Sequence, residues 1–166
     1  RKPGGTLVLH DLLPARHLYL LSTGTGLAPF LSIVKDPHAY ERFEKVILVH
    51  GVRRVGDLAY RDFIERELPA NVFFGEQVRR QLLYYPTVTR EPFMHQGRIT
   101  DLMISGRLFA DLGLPPLSRH DDRAMICGSA AMLKDCSALL DAAGLHVSPH
   151  IGAPGDYVIE RAFVDK

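Results

Sequence analysis

The sequence has little of several features that mark particular classes of protein. Only two of its 166 residues are cysteine, Cys127 and Cys136, and they form no C-x-x-C pair. A secreted scaffold held together by disulfide bonds is therefore excluded. No apolar run approaches the roughly 20 residues that a membrane-spanning helix needs, and residues 1–5 do not resemble a signal peptide. We therefore expect a protein of a reducing, cytoplasmic compartment without a membrane partner.

An excess of charge of one sign is also lacking. Lys and Arg number 20 and Asp and Glu number 19, which gives a formal net charge of +1. Such a balance provides no general attraction to nucleic acid or to anionic lipid. Apolar residues make up 46% and charged residues 23%, a composition typical of a soluble globular domain. The sequence thus predicts a packed core and no nucleic-acid partner.

The motifs of several enzyme classes are missing too. The sequence contains no H-E-x-x-H, and its eight histidines form no tight cluster with cysteine or carboxylate residues. No metal site is therefore predicted. The hydrolase motif G-x-S-x-G and the G-K-[ST] of nucleoside triphosphatases are also absent.

Short apolar runs alternate regularly with helical patterns along the chain. The runs, which predict buried strands, lie at residues 17–21, 46–49, 82–85, 124–127 and 157–159. Between them, helices are predicted at residues 27–34, 57–68, 99–112 and 132–143. This alternation predicts an α/β fold, a Rossmann-like doubly wound sheet of five parallel strands.

Four residues indicate where helices begin, break or end, and where one strand lies in the sheet. Asp57 is a plausible N-cap for the second helix, and Gly106 interrupts the third. Gly144 stands where a helix C-cap is expected. Pro86 cannot donate a hydrogen bond to a neighbouring strand, so the third strand is expected at an edge of the sheet.

Ligands of a parallel sheet bind beyond the carboxyl ends of its strands. The first strand is followed by a small-residue loop with two glycines, residues 22–26, which suits a phosphate. An ordinary glycine-rich loop is the alternative, because Pro29 replaces the third glycine of the dinucleotide fingerprint. Arg53 and Arg54 follow the second strand, where an NAD-binding sheet usually carries an acidic residue. Arginine there favours the 2′-phosphate of NADP, and solvated surface arginines are the alternative.

Residues that could bind a ligand or react also stand at the ends of the third and fourth strands. Arg90 and Arg98 follow the third strand and would share one rim with Arg53. A guanidinium group can bind phosphate through two parallel hydrogen bonds. Cys127 ends the fourth strand, either as a small buried residue or as a nucleophile activated by His50. The sequence gives no support to the second alternative.

Four segments of the chain together carry a family signature. They are Leu-Ser-Thr-Gly-Thr-Gly-Leu-Ala-Pro-Phe at 21–30, Val-His-Gly-Val-Arg at 49–53, Tyr-Tyr-Pro-Thr-Val-Thr-Arg-Glu at 84–91, and Met-Ile-Cys-Gly-Ser at 125–129. This combination resembles the ferredoxin–NADP reductase family, and the ending at 159–166 is similar to its bacterial branch. The resemblance implies the C-terminal, NADP-linked domain of a two-domain flavoprotein. Residues 1–16 would then be the end of an FAD-binding barrel plus a linker, and residues 17–166 the NADP(H)-binding domain.

The resemblance also implies roles for individual residues. The cofactor-binding set comprises Thr23, Gly24, Thr25 and Gly26 along the pyrophosphate; Arg53, Arg54, Thr89, Arg90 and Arg98 at the 2′-phosphate and adenosine; and Gly128, Ser129, Ala130, Met132 and Asp135 on the nicotinamide side. Cys127 would position the nicotinamide ring, and Ala162 stands where plant members end in an aromatic residue that covers the flavin. The tail of Phe163, Val164, Asp165 and Lys166 would fold onto FAD, with a frayed terminus as the alternative.

The function implied is that of an FAD-dependent oxidoreductase that exchanges electrons between NADP(H) and ferredoxin or flavodoxin. The flavin performs the redox chemistry, while the protein orients the reacting rings. The family's flavin motif Arg-x-Tyr-Ser is absent from the sequence, so we expect the isolated chain to be inactive. Two alternatives stay open: a non-catalytic NADP-binding fragment, and an NADP-dependent dehydrogenase that acts directly on a small substrate.

Overall fold

A five-stranded sheet forms the middle of the computed structural model, which describes residues 9–161. Its strands are β1 (His17–Thr23), β2 (Lys45–Val52), β3 (Leu82–Val88), β4 (Asp122–Gly128) and β5 (Tyr157–Arg161). They are hydrogen-bonded in the order β3-β2-β1-β4-β5, and every neighbouring pair is parallel. The predicted α/β fold with five parallel strands is confirmed.

Helices cover both faces of this sheet. The six α-helices are α1 (Ala28–Val34), α2 (Pro37–Arg42), α3 (Gly75–Gln81), α4 (Ile99–Ile104), α5 (Arg107–Leu112) and α6 (Ala130–Ala142). Along β1, Leu18 and Leu20 join the core cluster that includes residues of α1 to α3, whereas Tyr19 and Leu21 join the cluster that includes residues of α4 to α6. This alternation follows from the two-residue period of a strand, and it produces the doubly wound arrangement.

The predicted edge position of β3 and the predicted break in the third helix are confirmed. Strand β3, which contains Pro86, lies at an edge of the sheet. The helical stretch 99–112 is interrupted at Gly106, and α6 is followed directly by Ala143 and Gly144. Within residues 9–161, no helix is both long and apolar enough to cross a membrane.

The segment between β2 and β3 differs from the single helix predicted at residues 57–68. A 3-10 turn spans Val55–Asp57, and a π-helical turn spans Phe63–Glu67. Asp57 accepts a hydrogen bond from the backbone N–H of Arg54 at 3.2 Å, so it closes the first turn. The prediction of Asp57 as the N-cap of a long helix is therefore wrong. The physical reason is Leu58, which is buried in a small cluster beside β2 and interrupts a continuous helix there.

The residues before β1 pack against the sheet domain. Leu12 is buried in the core cluster of the α1 face, and the Arg42 guanidinium donates hydrogen bonds to the carbonyls of Leu9 and Leu12. The N–H of Leu13 donates to the carbonyl of Gly155 at 2.9 Å. Leu9 begins a 3-10 turn, and residues 1–8, in the segment where the end of the FAD-binding barrel is expected, lie outside the described residues.

Candidate functional site

The loop after β1 depends on its two glycines. Gly24 has a φ of +52°, in the left-handed region that glycine adopts without steric cost. A 3-10 turn at Gly24–Leu27 then leads directly into α1. Gly26 lies against the end of β4, where a Cβ would come within 2.7 Å of the carbonyl carbon of Cys127. The loop therefore passes so close to β4 that its backbone leaves no room for a side chain.

The carboxyl ends of β1 and β4 enclose a crevice at the point where the strand order reverses. Chain order runs outward from β1 to β2 and β3 on one side, and from β4 to β5 on the other. In open α/β sheets this switch point is where ligands bind. Ser22 pairs in register with Cys127. Thr23 and Gly128, the next residue of each strand, therefore face each other across the crevice.

The crevice is tightest at Gly128. A Cβ at this position would lie 2.5 Å from the Thr23 Oγ1 and 2.8 Å from the Met132 Sδ. Ser129 begins α6 as its N-cap, where its hydroxyl accepts a hydrogen bond from the Met132 N–H at 3.2 Å. The structure thus brings together Thr23, Gly26, Gly128 and Met132, which the family resemblance assigns to one ligand. Ala130 and Asp135 are exposed on the first turns of α6.

Cys127 is fully buried beneath this crevice. Its side chain belongs to the core cluster of the α1 face. Burial raises the pKa of its thiol to about 11, and the negative charge of Glu160 adds to this shift. The group is therefore a neutral thiol at physiological pH, and the alternative of an activated nucleophile gains no support.

His50 has a role in the crevice that the sequence did not reveal. It lies in β2 beside Ser22 of β1 and is 2% exposed. Its Nε2 donates a hydrogen bond to the carbonyl of Gly24 at 2.7 Å. Burial lowers its pKa, so the imidazole is neutral and its Nδ1 carries no proton. Among the described residues, the Nδ1 has no hydrogen-bond partner.

The signal that could have revealed this role is the strand register. A histidine at the tip of β2 lies next to the end of β1, and therefore next to the glycine loop. From the sequence, His50 is a candidate only as a base for Cys127, whereas in the structure its one N–H is donated to the carbonyl of Gly24.

The predicted arginine rim lies at the same edge of the sheet. The N–H of Arg90 donates to the carbonyl of Arg53 at 2.9 Å, and the N–H of Thr89 donates to the carbonyl of Val52 at 3.0 Å. The chain then returns to β3, because the N–H of Gly97 donates to the carbonyl of Val88 at 3.0 Å. Arg98 follows directly and precedes α4. The structure therefore brings Arg53 and Arg90 together and places Arg98 at the same edge.

The guanidinium groups of this rim are open. Arg53, Arg54, Arg90 and Arg98 are all exposed. Within the described part of the chain, none of the four forms an ion pair. Four positive charges without a carboxylate partner, beside a glycine loop, suit a phosphorylated ligand.

The remaining predicted site residues, and two clefts of the surface, are not part of the crevice. The expected flavin-contacting residues Ala162, Phe163, Val164, Asp165 and Lys166 are outside the described residues. Between residues 9 and 161, no three His, Cys, Asp or Glu side chains are placed to hold a metal ion. A small cleft of about 160 Å³ beside Tyr85 and a wider one of about 470 Å³ beside Arg16 contain none of the crevice residues.

Known proteins resemble this chain in both sequence and fold. The chain is 67% identical over 166 residues to a ferredoxin–NADP reductase of Pseudomonas aeruginosa, and 64% identical over 166 residues to one of Azotobacter vinelandii. In both cases the whole chain is matched, and it spans 64% of the relative's length. A solved structure of a ferredoxin NADP+ reductase from Neisseria gonorrhoeae, with bound FAD and NADP, superimposes with a TM-score of 0.80 at 28% identity. That match covers 97% of this chain and 61% of the other.

The family itself follows from the central part of the chain. The sequence model of the oxidoreductase NAD-binding domain matches residues 20–138, which include the glycine loop, the arginine rim and the start of α6. The resemblance predicted from four short segments is confirmed by these matches. The chain therefore belongs to the oxidoreductase NAD-binding domain family.

Proposed function

We propose that the chain is the NADP(H)-binding part of a flavoprotein that exchanges electrons between NADP(H) and ferredoxin or flavodoxin. One observation carries the proposal: exposed arginines that form no ion pair with any residue of the described range 9–161 lie at the same sheet edge as the switch-point crevice. The names of the similar proteins support the reaction class. The chain spans only 64% of the first two relatives, and FAD would be held mainly by the part that they have in addition.

The residues of the crevice fit a dinucleotide. Gly26 and Gly128 leave backbone surfaces that a Cβ would fill, and such surfaces allow the close approach that a pyrophosphate and a flat ring require. The pyrophosphate would lie along Thr23–Gly26 and the nicotinamide against Gly128 and Met132. Ser129, Ala130 and Asp135 would surround that half of the ligand.

The arginine rim would select the phosphorylated cofactor. Arg53 and Arg90 would hold the 2′-phosphate through paired hydrogen bonds, with Arg54, Thr89 and Arg98 around the adenosine. An NAD-binding site instead carries an acidic residue that binds the ribose 2′-hydroxyl, and the loop after β2 offers arginine at that place. We therefore infer a preference for NADP(H) over NAD(H).

In this proposal Cys127 acts by its size. When bound, NADPH supplies a hydride to the flavin. The neutral thiol of Cys127 packs into the core below the crevice, and the adjoining Gly128 keeps the surface above it flat. The approach of the two reacting rings is sensitive to shifts of about 1 Å, which can change a rate by about 100-fold. A rigid, buried residue suits this position.

The residues do not support a dehydrogenase that acts directly on a small substrate. Such an enzyme needs a general acid beside the nicotinamide. In the described crevice, His50 is the nearest candidate, and its N–H is donated to the carbonyl of Gly24. Of the other residues placed around the nicotinamide half, Asp135 is exposed on α6, and Cys127 is a buried thiol with a raised pKa.

The other parts of the proposal concern the whole protein. Residues 1–16 would be the end of the FAD-binding barrel plus a linker, and residues 17–166 the NADP(H)-binding domain. The tail at 162–166 would contact FAD. We propose a cytoplasmic protein whose electron partner is ferredoxin or flavodoxin, and we propose no membrane or nucleic-acid partner.

The test uses the longer protein that contains this chain, purified with its flavin. Rapid mixing with NADPH or NADH follows bleaching of the flavin absorbance, and reduced protein is then mixed with ferredoxin or flavodoxin. We expect reduction by NADPH at far lower concentration than by NADH, followed by electron transfer to one of the two carriers. A protein that binds no flavin, or whose flavin NADPH does not reduce, would contradict the proposal.

A further inference from the structure

The side chain of Glu91 links the two loops that carry Arg53 and Arg90. Its Oε2 accepts a hydrogen bond from the backbone N–H of Val55 at 2.5 Å. Val55 begins the 3-10 turn that directly follows Arg53 and Arg54. A carboxylate after the third strand therefore caps the turn after the second strand.

A small hydrophobic cluster supports the same connection from below. Val52, Leu58 and Val88 are buried together, with Val55 and Phe93 packed against them. The Arg61 guanidinium lies 4.9 Å from the centre of the Phe93 ring, a distance at which the positive charge is attracted by the ring face. Since Phe93 belongs to the loop after β3 and Leu58 to the loop after β2, this cluster also joins the two loops.

The Glu91 carboxylate is not paired with the phosphate-binding arginines in the described part of the chain. Glu91 is adjacent to Arg90 in sequence, and Arg90 is hydrogen-bonded through its backbone to Arg53. Among residues 9–161, Glu91 forms no ion pair with either arginine. Its charge is directed to a main-chain N–H instead, which leaves both guanidinium groups open.

We propose that Glu91 is a positioning residue that sets the preference for nucleotides with a 2′-phosphate, an inference that rests on the function proposed above. By joining the two loops, it fixes the separation of the arginines before the ligand arrives. The backbone hydrogen bond from Arg90 to Arg53 joins the loops where they begin, and Glu91 adds a second connection beyond the arginines. Without this second connection, ordering the two arginine-bearing segments around a phosphate would cost conformational freedom, and this cost lowers affinity. The adenosine and ribose contacts that a ligand without the 2′-phosphate makes do not depend on this connection.

The test compares dissociation constants of 2′-phospho-AMP and 5′-AMP for the 166-residue chain by calorimetric titration. In Glu91→Ala, the ratio of the 5′-AMP constant to the 2′-phospho-AMP constant should fall about tenfold, which corresponds to about 1.4 kcal/mol. In Glu91→Gln the ratio should stay close to that of the unsubstituted chain, because the amide oxygen still accepts from the Val55 N–H. Phe93→Ala, which removes the side chain that the loop after β3 packs against the cluster and leaves the carboxylate, should lower the ratio as well.

Asp36 provides the matched control. Its carboxylate accepts a hydrogen bond from the His38 N–H at 3.0 Å at the start of α2, so it caps a turn that is remote from the rim. Asp36→Ala should lower the melting temperature about as much as Glu91→Ala and leave the ratio unchanged. The ratio also cancels any difference in the folded fraction between variants.

The outcomes separate this inference from the proposed function. Equal affinities of the unsubstituted chain for the two ligands would overturn the NADP preference, and the role of Glu91 with it. A chain that discriminates between them while Glu91→Ala and Phe93→Ala discriminate equally well would overturn the role of Glu91 alone. The same would follow if Asp36→Ala lost the preference, or if Glu91→Gln lost it as fully as Glu91→Ala.

Discussion

Arginines at the two ends of the sheet differ in whether their guanidinium groups already have partners within the described residues. At the amino end, where the strands begin, Arg42 donates to the carbonyls of Leu9 and Leu12. Arg123 donates to the carbonyls of Leu13 and Pro14, and its NH1 group lies 3.5 Å from Asp156. These guanidinium groups hold the segment before β1 against the domain.

At the carboxyl end, where the strands finish, the arginines of the rim are exposed. Within the described chain, Arg53, Arg90 and Arg98 have no carboxylate partner. The comparison teaches that residue type alone does not separate a structural arginine from a ligand-binding one. The difference lies in whether backbone carbonyls and carboxylates already saturate the guanidinium group.

The largest effect on stability is expected from Arg123→Ala at the amino end. Arg123 is 7% exposed and Asp156 is 1% exposed, so the substitution leaves a buried carboxylate with fewer partners. We expect a loss of about 3 kcal/mol in the free energy of unfolding, the lower end for a broken buried pair, because Arg119 still bonds Asp156. Urea denaturation measures it. A loss below about 1 kcal/mol would show that this network is not structural.

At the carboxyl end, Arg53→Ala and Arg90→Ala should affect ligand binding and not stability. Each should weaken 2′-phospho-AMP binding by about 1.5–3 kcal/mol, the range for a hydrogen bond to a charged group, and leave thermal stability unchanged. Calorimetric titration and a melting curve measure the two effects. Arg66→Ala is the control, since Arg66 is ion-paired with the exposed Asp62 and has no proposed contact with the ligand. Equal weakening by Arg66→Ala would indicate a general effect of charge.

A smaller effect is expected on the pH dependence of stability, and it concerns the buried histidines at the two ends of the sheet. His17 at the amino end has its Nδ1 3.1 Å from the Asp122 carboxylate, whereas His50 at the carboxyl end bonds only a carbonyl. Burial lowers the pKa of His50 below 6.5, so the unfolded chain takes up a proton there at higher pH than the folded chain. The stability that His50 contributes is complete above about pH 6.5 and decreases as the pH falls towards its folded pKa.

The contribution of His50 to the free energy of unfolding should change by at most about 1.4 kcal/mol per pH unit. Urea denaturation at several pH values between 5 and 8, for the unsubstituted chain and for His50→Gln, measures it. The difference between the two curves should change across that range. Parallel curves would mean that His50 has the same pKa in both states.

The fold was largely predictable because its signals are local. Continuous apolar runs indicated all five strands, and Pro86 placed β3 at an edge. Helices α2 and α3 were not predicted, since they have only six and seven residues and show little periodicity. The turn at Asp57 was predicted wrongly, because the burial of Leu58 depends on contacts with β2 and β3.

The candidate site was predictable only in part. Glycines and arginines after strand ends indicated its location, because the carboxyl ends of parallel strands meet at one edge. The hydrogen bond from His50 to Gly24 depends on strand register, and the bond from Val55 to Glu91 joins residues 36 positions apart. No local pattern contains such contacts.

The most direct test of the account is a titration of the unsubstituted chain with 2′-phospho-AMP and with 5′-AMP. The two ligands differ only in the group that the open arginines are proposed to bind. The account predicts that 2′-phospho-AMP binds at least about tenfold more tightly, and that added salt narrows the difference because the contact is ionic. Equal affinities at low salt would contradict the claim that the carboxyl end of the sheet is built to receive a 2′-phosphate.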